Sequence, residues 1–203
     1  MKYELFDAHI KEGSNYKGRI QLSIHDNNCI KELYQEVKLK LHPDLAYFEE
    51  WDERIYWLTL FEFWNNGAWS KEKNPFRVSV NLSKAEGVGK QLFFRVKSDY
   101  QKCRTCDWKE VWGQTDTSFP LVFGEWMTLK IHIKEGDENN GRFYMSAKKE
   151  SGAETVLFDI SNTTQHPKEK CPDGFTHFEA MKIYTSQENI DYMVNANKTF
   201  AFF

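Results

Sequence analysis

The chain has 203 residues, 27 Lys+Arg against 30 Asp+Glu, a formal charge of −3, and 16 % aromatic residues, among them 7 Trp, 9 Tyr and 16 Phe. Near-balanced charge and a sequence pI near 6.1 argue against a general nucleic-acid binder, which carries clustered Lys and Arg, and no apolar run approaches the roughly 20 residues of a membrane helix. Mean hydropathy is −0.68, yet so many aromatics exclude disorder, and the length suits one domain spanning 1–203.

The N-terminus lacks the apolar stretch of about 7–15 residues that marks a signal peptide. From there on, apolar residues recur with period two, as in half-buried strands. Gly18 to His25 (GRIQLSIH) sets Arg19, Gln21 and Ser23 on one face and Ile20, Leu22 and Ile24 on the other, with His25 at its end. Leu33 to Leu41 places Val37, Leu39 and Leu41 together. His42 in Leu41-His-Pro-Asp44 reads as a turn stabiliser, with a catalytic histidine as the second reading. Glu49, Glu50, Asp52 and Glu53 around Trp51 read as solvated charge in a loop. Arg54 to Trp64 (RIYWLTLFEFW) is the aromatic, β-branched run of a strand covered on both faces. Phe76 to Leu82 alternates cleanly, opposing Phe76, Val78, Val80 and Leu82 to Arg77, Ser79 and Asn81. Gln91–Val96, Trp126–Ile133, Arg142–Ala147, Ala180–Tyr184 and Thr199–Phe203 follow the same pattern, and the last run is where a trimmed domain would stop. Turn signals separate them, at Asn65-Asn66-Gly67, Glu135-Gly136-Asp137 and Asn139-Asn140-Gly141 among others. Ser186 to Val194 predicts a short helix with Ser186 as its N-cap. About ten short strands predict an all-β fold, an antiparallel β-sandwich of the jelly-roll kind.

Several strands carry a second face that is neither core nor plain solvent surface. Arg77, Ser79 and Asn81 share one, Lys182 and Tyr184 another, and Glu62 and Trp64 a third that runs into Asn65 and Asn66. Aromatic planes stack on the apolar faces of sugar rings, while Arg, Asn and Gln bind hydroxyls and carboxylates. Such faces therefore suit a groove for a sugar polymer. Trp51, Trp57 and Trp126 read as core or rim packing, and Trp64 and Trp69 flank the loop in FEFWNNGAW, the best candidate for a binding edge. Cys103-Arg-Thr-Cys106 has half a zinc spacing with no second pair. The four cysteines thus read as structural, either paired or free. Asp137, Glu138, Asn139 and Asn140 read equally as a hairpin tip or part of a structural calcium loop.

Four segments then carry a family likeness: Gly18-Arg-Ile-Gln-Leu22, Phe61-Glu-Phe-Trp-Asn65, Gly124-Glu-Trp126 and Phe178-Glu-Ala-Met-Lys-Ile-Tyr184. Through them the chain, from about Gly18 onward, resembles the concanavalin A-like jelly-roll domains of bacterial polysaccharide-degrading systems, nearest to alginate lyase-like polysaccharide lyases. It departs where that family has Arg-x-Glu-Leu, here Arg19-Ile-Gln21-Leu22, and Gln-x-His, here Glu62-Phe63-Trp64 or Trp64-Asn65. The resemblance implies binding of an acidic, uronate-containing polysaccharide and its cleavage by β-elimination. Tyr184 would be base or acid, and Arg19 and Gln21 would hold the carboxylate. Glu62, Trp64, Asn65, Trp69, Arg77, Asn81 and Lys182 would line subsites, with His25 and His42 as reserve bases. It also implies a secreted, periplasmic or cell-surface protein that needs no cofactor beyond a structural calcium. The alternative is a non-catalytic carbohydrate-binding domain, which the missing Gln-x-His pair favours. A purely structural sandwich is a third reading. Hydrolysis fits less well, because the Glu-x-Asp-x-x-Glu strand that would supply paired carboxylates is absent.

Overall fold

The computed structural model describes residues 1–12, 14–24, 30–55, 57–65, 75–103, 106–169 and 174–203. In chain order its strands are β1 (Tyr3–Leu5), β2 (Ile10–Glu12), β3 (Asn15–Ile24), β4 (Glu32–Lys40), β5 (Leu58–Asn65), β6 (Phe76–Lys84) and β7 (Leu92–Gln101). They continue with β8 (Trp108–Thr115), β9 (Trp126–Lys134), β10 (Arg142–Lys149), β11 (Glu154–Ser161), β12 (His177–Ser186) and, after helix α1 (Gln187–Asn195), β13 (Phe200–Phe202). A seven-stranded sheet runs β2-β3-β12-β5-β6-β7-β8, a four-stranded sheet runs β11-β10-β9-β4, and β1 pairs with β13. Strand pairing within the sheets is antiparallel. The fold is thus an antiparallel β-sandwich of the jelly-roll kind.

Period-two patterning builds this arrangement directly. On β6, Phe76, Val78, Val80 and Leu82 are fully buried between the sheets, and the intervening Arg77, Ser79 and Asn81 face away from that core. The four-stranded sheet answers with Leu129, Ile131 and Ile133 of β9 and Phe143 and Met145 of β10. Phe63 of β5 meets Phe143 edge-on at 6.4 Å between ring centres, a favourable aromatic geometry. Every residue of β5 is buried, as its double-faced apolar run requires, because a second set of side chains covers its outer face. Helix α1 begins at Ser186, whose hydroxyl accepts from the Asn189 N–H at 3.4 Å, so a capped first turn forms where the sequence predicts it. The helix lies close on β3, and a side chain at Gly18 would run into Ile190 and Leu5.

Other features add to the sequence expectations or differ from them. β1, β2, β8 and β11 carry too short or too polar a pattern to be read in advance. Pro43–Glu49 forms a short 3-10 helix rather than a loop, and His42 caps it, its Nδ1 accepting from the Asp44 N–H at 3.2 Å. Within the supposed charge cluster, Glu49 accepts from the Leu92 N–H at 3.1 Å. Asp137 accepts from the Asn139 and Asn140 N–H groups at 2.8 and 3.1 Å, which is the geometry of the hairpin tip. No group of three or more His, Cys, Asp or Glu among the described residues could hold a metal ion. Among those residues no helix is long and apolar enough to cross a membrane.

Candidate functional site

The face of the seven-stranded sheet turned away from the core is a groove with a cavity of about 580 Å³. It crosses the strands. From β3 to β7 there are four strand spacings, about 19 Å at a usual separation of about 4.8 Å, long enough for several sugar units. Its floor is polar and fixed: the Thr59 hydroxyl donates to Asn81 Oδ1 at 2.8 Å, and Asn81 Nδ2 donates to the Ser79 hydroxyl at 3.2 Å.

A chain of alternating charges runs along this floor. Lys182 of β12 is ion-paired to Glu62 of β5, and the two side chains are only 3 % and 1 % exposed. Arg77 Nη1 donates to the other Glu62 oxygen at 3.2 Å and grips Asp99 of β7 with two bonds of 2.6 and 3.2 Å. Lys97 Nζ completes the chain at 3.0 Å from Asp99 Oδ2. Burial works against the charge on Glu62, but Lys182 and Arg77 outweigh it and hold its carboxyl below the usual carboxylate range. Asp99 is held low in the same way, with Arg77 and Lys97 outweighing burial. Arg77 in turn stays charged because Asp99 and Glu62 outweigh its own burial.

Each end of the groove is aromatic. At one end Trp57 and Tyr184 sit with ring centres 5.9 Å apart, and Lys17 Nζ lies 5.7 and 5.8 Å from those centres. Lys182 Nζ lies 4.9 Å from the Tyr184 ring. Antiparallel register sets Arg19 directly beside Tyr184. At the other end the Arg77 guanidinium stacks 4.1 Å from the Trp108 ring and 5.4 Å from that of Trp64, close enough for cation–π attraction.

Seven of the residues singled out from sequence therefore line one groove: Arg19, Glu62, Trp64, Arg77, Asn81, Lys182 and Tyr184. Two others do not. Asn65, one position after Trp64, turns to the core side, where its Nδ2 donates to Glu135; the other Glu135 oxygen accepts from the Gly174 N–H at 2.7 Å. Gln21 lies beside the groove and spends its amide on Ser23, at 2.6 Å. His25 and Trp69 lie outside the described residues. Trp57, expected in the core or at the rim, lines the groove. Lys17, Lys97, Gln101 and Trp108 also line it without having been singled out. Cys103 and Cys106 form a disulfide at the turn between β7 and β8, and Cys29 and Cys171 lie outside the described residues.

The class defined so far is a jelly-roll sandwich with a cationic, aromatic-ended groove on its large sheet. No family model matches the chain, and no curated protein matches it. Among solved structures it is similar to the alginate lyase Aly36B, with 15 % identity over 88 % of this chain and 72 % of that one and a TM-score of 0.47. A variant of that lyase in complex with alginate tetrasaccharide matches at 12 % identity over 96 % of this chain and 79 % of that one, TM-score 0.47. The endo-β-1,4-glucuronan lyase of the fungus Trichoderma reesei matches at 14 % identity over 100 % of this chain and 83 % of that one, TM-score 0.48. These structural neighbours are polysaccharide lyases.

Proposed function

We propose that the groove binds a uronate-containing polysaccharide and cleaves it by β-elimination. One observation carries this reading. The described residues lining the groove include six cations, Lys11, Lys17, Arg19, Arg77, Lys97 and Lys182, against the two carboxylates of its floor, Glu62 and Asp99, in a chain whose formal charge is −3. A concentration of positive charge against the overall sign selects an anionic ligand. The groove's length and its aromatic ends favour a linear chain of sugar rings over a small anion.

The cations divide by role. Lys182, Arg77 and Lys97 are already paired, so they set the field. Arg19 is exposed and has no ion pair among the described residues, which leaves its planar fork for the substrate carboxylate. With the carboxylate neutralised, Tyr184 removes the proton on the adjacent carbon, and the resulting enolate charge is stabilised by Arg19 and the fixed cations. A double bond then forms as the glycosidic C–O bond breaks, and the leaving oxygen takes a proton from Tyr184. One residue serves both steps when proton and leaving group lie on the same face.

The test is incubation with alginate, glucuronan and polygalacturonate, following the ultraviolet absorbance of the new double bond. Wild type produces the signal with at least one polymer, and Tyr184→Phe binds that polymer but loses the signal. Binding without any signal from wild type makes this a carbohydrate-binding domain, a reading that the diversion of Gln21 to Ser23 favours. Absence of binding to all three polymers overturns both.

A further inference from the structure

Beneath the groove lies a carboxyl that the elimination does not use. Glu179 of β12 is fully buried, and the sheet register sets it opposite Glu62 of β5 on one side and Ser23 of β3 on the other. Directly opposed residues project to the same face, so Glu179 sits under the groove lining. The register shifts between Glu179 and Met181, and this bulge brings Glu179 and Lys182, three positions apart, onto one face where strict alternation would separate them.

Its surroundings suit an acid better than an anion. Gln21 Nε2 donates to the Ser23 hydroxyl at 2.6 Å, and that hydroxyl donates to Glu179 Oε1 at 3.5 Å. The other oxygen, Oε2, is buried with no hydrogen-bond partner among the described residues. The charged and titratable groups facing it are Glu62 from β5, Arg19 from β3, Lys182 from its own strand, and His177, whose Nε2 is 3.9 Å from Oε1. Lys182 is already bound to Glu62. An ionised Glu179 would thus have one bare oxygen and a like charge across the strand, a costly state for a buried group.

We propose that Glu179 is a positioning residue that sets the pH window of the groove: neutral while a uronate chain is accepted, and opposed to that chain once ionised. This rests on the uronate reading of the groove. Burial, with the Glu62 charge added, pushes the carboxyl up to about 7 against the pull of Lys182 and Arg19. Above that pH the floor gains a third negative charge beside Glu62 and Asp99, which competes with the ligand carboxylate for Lys182 and Arg19. Binding of a polyanion then favours the protonated form, and by linkage deprotonation weakens binding by the same factor.

Two measurements on the intact chain test this. Carbon-13 carboxyl titration of the unliganded protein should give one resonance with a midpoint near neutrality that is missing from Glu179→Gln; titration of Glu179 in the ordinary carboxylate range overturns the proposal. Calorimetry with tetrasaccharides of alginate, glucuronan and polygalacturonate should give affinity about tenfold weaker at about pH 8.5 than at about pH 5.5 in wild type. In Glu179→Gln the affinity should be flat across that range, at the wild type's low-pH value. Equal pH dependence in both proteins also overturns it. Absence of binding to all three probes at either pH sinks the uronate reading and the gate with it, whatever the titration gives.

Discussion

At the scale of single residues, the groove depends on Arg77. Its guanidinium is the shared partner of two buried carboxylates, Glu62 and Asp99, and its flat faces support Trp108 and Trp64. A buried ion pair adds little net stability over an apolar pair of similar size, since desolvation offsets attraction; removing one member leaves the other uncompensated. Arg77→Met leaves Asp99 with Lys97 and Glu62 with Lys182, each in a site built for two cations. The expected loss is about 3–5 kcal/mol, read from urea unfolding near neutral pH. Arg77→Lys should recover only part of it, because a point donor cannot span both Asp99 oxygens. Unchanged stability in Arg77→Met would mean that the two carboxylates rehydrate when the cation is removed, so that the chain of charges is not a closed network.

At the scale of elements, the hairpin of β7 and β8 holds the far end of the groove. The Cys103–Cys106 disulfide closes its turn, Gln101 Nε2 donates to the Cys106 carbonyl at 2.7 Å, and Gln101 stands opposite Trp108 in the register. Closing so short a loop restricts the unfolded chain by about 2 kcal/mol in the chain-entropy account. Reduction by a dithiol, or Cys103→Ser with Cys106→Ser, should lower the urea midpoint accordingly. It should also weaken oligosaccharide binding at the Trp108 end, so that Trp108→Ala costs less than in the oxidised protein while Trp57→Ala costs the same. Equal Trp108→Ala effects in both redox states would show that the turn does not position the ring. The same elements explain what could be read in advance. Arg77, Ser79 and Asn81 were legible because β6 alternates without interruption. Alternation also separates Asn65 from Trp64, so the core-facing position of Asn65 was implicit in the rule that identified its neighbours. Glu179 was hidden by the β12 bulge, and β5 has its own shift between Thr59 and Phe61, which breaks the period near Trp57. Trp108 was hidden because edge strand β8 is largely solvent-facing and shows no apolar stripe.

At the scale of the whole molecule, the aromatic surplus and the charge balance resolve into two opposite faces of one sheet. Phenylalanines such as Phe61, Phe63, Phe76 and Phe94 fill the space between the sheets with Phe143 and Phe158, which composition and periodicity anticipated. The cations gather on the other face, while acidic residues elsewhere keep the total at −3. Such a molecule attracts a polyanion to one face and repels it from the rest, so binding should depend on salt. Screening shortens the reach of exposed charges to about 10 Å at about 0.1 M and less at higher salt, but affects buried pairs much less. Arg19 and Lys11 are exposed, whereas Lys182 and Arg77 are sunk in the floor. Raising salt from about 0.05 to about 0.5 M should therefore weaken uronate binding steeply at first and then level off, as the exposed cations are screened and the buried ones persist. Arg19→Gln should flatten the steep part while leaving the high-salt affinity close to that of wild type. Isothermal calorimetry on the two proteins, with a neutral xylan oligomer as the uncharged control, measures both. Binding that ignores salt in wild type would mean that the groove recognises sugar rings through Trp57 and Trp108 alone, with its cations serving only to hold the sheet together.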